Sequence, residues 1–168
     1  DEIRLFSAPG RTEVGGNHTD HQHGSVLAGS VNLDAIAIVS LNNDGKIRIK
    51  SEGYPMDTVK VGEFEKTPGE EGKAISLIRG VCSRFEELGC KITGFNAYTT
   101  SNVLKGSGLS SSACFEVLIG VTVNGLFCAN SIPLAEIAKI GQYAENVYFG
   151  KPSGLLDQMG CALGGIVA

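Results

Sequence analysis

Gly106-Ser-Gly-Leu-Ser-Ser-Ser-Ala113 leads into a stretch, Ser110 to Phe127, that is apolar nearly all round. Such a helix belongs at the centre of a fold, so the pattern predicts a buried central helix that begins in a glycine-flanked serine run. Gly106 and Gly108 remove the Cβ atoms that would hold a ligand off the backbone. The amides that follow fall in the first helical turn, where four donors lack intrahelical partners. Orphan donors and helix dipole together favour an anion, phosphate above all, and a serine hydroxyl at such a turn also reaches a phosphate-bound Mg ion. Gly106, Ser107, Gly108, Leu109, Ser110, Ser111 and Ser112 are the candidate phosphate contacts. Taken alone, the run also fits an ordinary serine N-cap. It is not a Walker P-loop, because Lys105 precedes the glycines, and it is not Gly-x-Gly-x-x-Gly.

Two distant segments bear on that choice: Ala8-Pro-Gly-Arg-Thr-Glu-Val-Gly-Gly-Asn-His-Thr-Asp-His-Gln-His-Gly24 and Ala144-Glu-Asn-Val-Tyr-Phe-Gly-Lys-Pro-Ser-Gly-Leu-Leu-Asp-Gln-Met159. With the serine run between them, they resemble in type and order the motifs of the galactokinases, a branch of the GHMP small-molecule kinases. Pro-Gly-Arg and the serine run belong to the whole superfamily, whereas Gly-x-His-Thr-Asp and Gly-x-x-Asp-Gln are specific to that branch. The resemblance runs from Ala8 to about Gly165. It implies an α+β fold, a two-layer sandwich of mixed sheet and helices similar to a ribosomal-protein fold, forming the N-terminal domain of a kinase that uses ATP and Mg. It also implies a C-terminal domain with a glycine-rich third motif, which residues 1–168 do not include.

Phosphoryl transfer asks for groups that position an acceptor hydroxyl, hold Mg and neutralise developing charge. By resemblance, Asp157 is the base facing the anomeric hydroxyl of a sugar, and Arg11 stands between that aspartate and the transferred phosphate, where its charged fork stabilises the transition state. Glu145 resembles the carboxylate that shares Mg with Ser112, a set of hard oxygen ligands that phosphate and water complete. Asn17, His18, Asp20 and Gly154 match sugar-contacting positions, and galactose, with its many hydroxyls, suits mixed donors and acceptors. Read from residue types alone, Asp157 is equally a helix-terminal carboxylate, Glu145 a solvated helix glutamate, and His18, Asp20, His21 and His23 a zinc set. This chain departs from the branch at Asn17, where glutamate is usual, and at Glu13, Leu104 and Ser153, where asparagine, proline and often cysteine stand. The catalytic positions match better than the sugar positions. A second reading is a galactokinase-like sensor that binds sugar and ATP and regulates transcription without turnover; the intact Gly-Leu-Ser-Ser-Ser-Ala favours the enzyme.

Composition narrows the partners. The chain has 168 residues, 18 acidic against 14 basic, for a net charge of −4. It is long enough for one cored domain, and its acidity disfavours nucleic acid. No apolar run reaches the roughly 18 residues of a membrane span, and no signal peptide is evident, so a soluble cytoplasmic protein is expected. The five cysteines, Cys82, Cys90, Cys114, Cys128 and Cys161, are odd in number and sit mostly in apolar helical patterns, which predicts buried free thiols.

Ile3 to Ala8 predicts a first strand, followed by a glycine-rich loop to Gly24. Val26 to Leu41 predicts a second strand, and Asn42-Asn-Asp-Gly45 predicts a hairpin turn into Lys46 to Lys50. An edge strand is expected around Thr58 to Val61. Apolar residues at helical spacing from Ala74 to Leu88, stopped by Gly89, predict an amphipathic helix. A strand over Ile92 to Thr100 follows, then the central helix, then a helix from Ser131-Ile-Pro-Leu to about Tyr148. Gly164 to Ala168 reads as the start of another strand.

Overall fold

The computed structural model describes residues 2–16 and 25–168. One mixed sheet carries a helical layer on one face, the α+β two-layer arrangement expected. Its strands are β1 (Ile3–Gly15), β2 (Leu27–Leu41), β3 (Lys46–Ser51), β4 (Met56–Lys60), β5 (Phe95–Ser101) and β6 (Ile166–Val167). The helices are α1 (Ala74–Glu87), α2 (Ser111–Phe127), α3 (Leu134–Tyr143) and α4 (Leu156–Leu163). Spatial order is β1-β2-β5-β3-β4, with β6 beside the first half of β2. On β2 the period-two pattern sorts Ala35, Ala37 and Val39 into the core and leaves Ile36 and Ile38 on the open face. Beneath the sheet, Leu118 and Ile119 of α2 are fully enclosed, as an all-round apolar helix requires.

Three sequence expectations change. Lys46 to Lys50 does not form a hairpin with β2: β5 lies between them, antiparallel to β2 and parallel to β3. The Asn42–Gly45 turn instead serves β5, since Asn42 donates its backbone N–H to Gly94 O (3.0 Å) and its Nδ2 to Asn96 Oδ1 (3.0 Å). Second, β1 does not end at Ala8. It continues through irregular pairing between Pro9 and Arg11 as far as Gly15, because the first half of β2 offers it a partner as far as Leu27. Third, the helix expected to reach Tyr148 is α-helical only to Tyr143 and then widens into a π-helical segment, Ala144–Phe149, which Gly150 ends at a φ of 84°.

The cysteine reading is corrected in part. Cys90, just past α1, and Cys128, just past α2, form a disulfide with a Cα–Cα distance of 5.6 Å. Both helices end at the same edge of the core, and that places the two residues together. Cys82, Cys114 and Cys161 are buried free thiols, and burial pushes Cys82 up to about 12 and Cys114 to about 11, so neither offers a thiolate near neutral pH. Among the described residues, no helix is long and apolar enough to cross a membrane.

Candidate active site

The serine run adopts an unusual backbone. Gly106, Gly108 and Ser110 all have positive φ, at 80°, 77° and 57°, so every second residue of the run is left-handed, a backbone pattern found in anion-binding concavities. No Cβ is needed at the two glycines, and the space above each is open. Ser110 is the N-cap residue of α2, yet its side chain makes no cap hydrogen bond, and the first turn carries no acidic residue. The ordinary serine-cap alternative therefore does not describe it, and the α2 amides stay available to an anion. Ser107 Oγ donates to Leu104 O at 2.6 Å within the turn.

Arg11 and Asp157 meet across the fold. Arg11 Nε donates to Asp157 Oδ1 at 2.7 Å, Nη2 lies 2.6 Å from the same oxygen, and Nη1 donates to Gly108 O at 2.9 Å. One guanidinium thus joins the carboxylate to the serine run. Asp157 sits in the first turn of α4, and Arg11 is on the irregular part of β1, whose N–H donates to Leu109 O at 3.2 Å. Close packing makes this possible: a Cβ on Gly160 of α4 would lie 2.9 Å from Arg11 Cβ.

Glu145 is 1% exposed, which excludes the solvated-glutamate reading. It lies on the π-helical segment, a local widening often found where a side chain must be re-aimed. Its Oε1 accepts from Ser112 Oγ (3.2 Å) and Lys151 Nζ (3.3 Å), and its Oε2 from Ser153 Oγ (2.7 Å) and Gln158 Nε2 (2.9 Å). Ser153, where this sequence departs from the cysteine often found, therefore supplies a hydroxyl to the carboxylate. Sequence reading did not single out Lys151, Gln158 or Glu116. Glu116, on α2, accepts from Gln158 Nε2 at 3.0 Å, and burial, reinforced by the Glu145 charge, raises its carboxyl well above the usual range.

Ser112 and Glu145 present oxygen donors only, and among the described residues no group of three or more His, Cys, Asp or Glu side chains stands ready to cage a metal. Two protein oxygens with the rest left to phosphate and water is the donor set Mg takes and zinc does not. Asn17, His18 and Asp20, and with them the zinc alternative that adds His21 and His23, lie outside the described residues. Gly154 is half-buried in the loop between Ser153 and α4. Beside Ser111 and Ser112 opens a groove of about 670 Å³, lined also by Ser51, Thr99, Val103 and Phe149. That volume and mixed lining suit a small organic ligand.

Fold and site define the N-terminal domain of a GHMP kinase, and the chain belongs to that family: residues 76–165 match the family model described as GHMP kinases N terminal domain. More narrowly, residues 1–41 match the galactokinase galactose-binding signature. The chain is 35% identical to the galactokinase of Streptomyces coelicolor over 94% of its own length and 41% of that protein's. It resembles the crystal structure of Lactococcus lactis galactokinase complexed with galactose, with a TM-score of 0.88 at 32% identity, covering 97% of this chain and 42% of that one. The mevalonate kinase of Methanococcus jannaschii, at 19% identity and a TM-score of 0.82, shares the fold. The chain therefore spans about two fifths of the length of the galactokinases it matches.

Proposed function

We propose that the protein transfers the γ-phosphoryl group of ATP, with Mg, to the anomeric hydroxyl of galactose or a closely related sugar, and that this chain supplies the N-terminal part of the site. The observation that carries the reading is the Arg11–Asp157 pair held against Gly108 O, because it brings a carboxylate and a permanent cation to the mouth of an anion-binding helix start. Asp157 takes the proton of the sugar hydroxyl as that oxygen bonds to phosphorus and the bond to the departing nucleoside diphosphate breaks. Arg11 stands beside the oxygens on which charge develops. The left-handed turns at Gly106, Gly108 and Ser110 aim amides at the phosphates, and the groove beside Ser111 and Ser112 takes the nucleoside. Ser112 and Glu145 would hold Mg, which would supply positive charge against the phosphates.

Asn17, His18, Asp20 and Gly154 are assigned to the sugar on the strength of the galactose-binding signature over residues 1–41 and of the Gly-x-x-Asp-Gln pattern. A further C-terminal domain, matching the remaining length of the relatives, would close the cleft over nucleotide and sugar. A cytoplasmic setting goes with ATP and would keep Cys90 and Cys128 reduced. The sensor reading gains no support from the galactokinase relatives. The test is a coupled assay of the complete protein with ATP and galactose: Mg-dependent formation of galactose 1-phosphate supports the reading, and ATP and galactose left unconsumed by folded protein would sink it.

A further inference from the structure

Beneath Glu145 lie two polar side chains that solvent does not reach and that the transfer reaction does not use. Glu116 on α2 and Gln158 on α4 are both 0% exposed. The Gln158 amide donates one hydrogen to Glu116 Oε2 at 3.0 Å and the other to Glu145 Oε2 at 2.9 Å, so one NH2 group ties together α2, α4 and the π-helical segment. Their other oxygens, Glu116 Oε1 and Gln158 Oε1, are buried without a hydrogen-bond partner among the described residues. The arrangement is walled in. A Cβ on Gly141 of α3 would lie 3.2 Å from Glu116 Oε2 and 3.3 Å from Gln158 Cγ, so α3 packs directly against both side chains and a larger residue at 141 would crowd them. A Leu and Met pair of similar volume would fill this space without burying polar atoms, so core filling alone does not account for the pair.

We propose that Glu116 and Gln158 are positioning residues of the transfer site: Glu116 anchors the Gln158 amide, and Gln158 holds Glu145 Oε2 so that Oε1 faces Ser112 and the cation. Gln158 directly follows Asp157, so the same anchor fixes the first turn of α4 against Arg11. This inference rests on the phosphoryl-transfer reading. It makes the carboxylate beneath the site as important to cation affinity as the hydroxyls that surround it.

The test uses the complete protein, Mn2+ as the probe ion, and a non-hydrolysable ATP analogue, with bound Mn2+ read by water proton relaxation. Glu116→Leu and Gln158→Met should each weaken Mn2+ binding at least tenfold and lower kcat while the sugar KM stays within twofold. Glu116→Gln, which keeps an oxygen for the Gln158 N–H, should stay within threefold of the parent. Gln158→Asn, one methylene too short to span both carboxylates, should lose Mn2+ affinity like Gln158→Met, and it decides the matter if the apolar variants fail to fold. Folded variants that bind Mn2+ within twofold of the parent overturn the proposal and leave the transfer reading intact. A parent that binds no Mn2+ with the nucleotide overturns both.

Discussion

Arg11 and Asp157 are 146 residues apart in the chain, and two guanidinium nitrogens reach the same carboxylate oxygen, at 2.7 and 2.6 Å. The first strand and the last helix must both be seated before the pair exists, so the site reports on the whole fold. Asp157→Asn keeps size and hydrogen bonding but cannot accept a proton. In the complete protein it should lower kcat by about a thousandfold while sugar affinity, measured by calorimetry, survives. A variant within tenfold of the parent rate would leave Asp157 only an orienting group.

Gly160→Ala tests the packing that sets this pair. The added methyl would come 2.9 Å from Arg11 Cβ and 3.3 Å from Arg11 Cγ, so β1 or α4 has to give. The expected cost is about 1–3 kcal/mol of stability by urea unfolding, with at least a tenfold loss of kcat in protein that remains folded. Full activity would show that Arg11 tolerates displacement.

Asn17→Glu tests the proposed assignment of Asn17 to the sugar. A buried carboxylate left unpaired by an analogue is penalised more than an amide, which both donates and accepts. The parent should therefore discriminate less sharply than the glutamate variant among galactose, glucose and the 2-deoxy and amino derivatives of galactose, compared by kcat/KM. Equal discrimination by both proteins would make Asn17 a neutral replacement.

Stability should carry the mark of Glu116. Its folded-state carboxyl is raised above the ordinary value of 4.5, chiefly by burial, so the folded chain keeps a proton that the unfolded chain releases. That contribution is complete below pH 4.5 and falls as pH rises toward the folded-state value, at about 1.4 kcal/mol per pH unit. Glu116→Gln has no such proton to lose, so its stability relative to the parent should increase from pH 5 upward in urea titrations. Parallel curves for the two proteins would show that Glu116 is ionised in the folded state.

The Cys90–Cys128 bridge spans 38 residues of sequence, for which loop-closure entropy gives about 4 kcal/mol. Cys128→Ser should cost roughly 3–4 kcal/mol relative to the oxidised parent and almost nothing when both are measured with excess reductant. A difference that persists under reduction would locate the effect in packing.

Much of the site was legible because it depends on backbone chemistry that leaves a trace in residue type. Glycines at 106 and 108 left room for a ligand to approach the backbone, and Asp157 and Arg11 sit in motifs whose order survives in the sequence. Helix α1 was equally plain, since Ala74, Ile78, Val81, Cys82 and Phe85 recur at helical spacing. Glu116 was not legible: in Ser110–Phe127 it is one carboxylate in an apolar run, and only the arrival of Gln158 from 42 residues away explains it. The Cys90–Cys128 pairing was hidden for the same reason, because helical spacing says where a helix ends but not which other helix ends beside it. Asn42–Gly45 misled because turn chemistry is local, whereas the choice of strand neighbour belongs to the sheet.

The seating of β5 between β2 and β3 constrains how a nascent chain leaves the ribosome. Until Phe95–Ser101 has been synthesised, β1 with β2 and β3 with β4 are two separate two-stranded ribbons, each exposing one unpaired inner edge, and such ribbons are marginal in water. The piece that joins them follows α1 in the chain, so until it emerges both edges are open to pairing with other chains. The two ribbons therefore become one sheet only once β5 has emerged and Tyr98 has settled between Ile38 and Lys50.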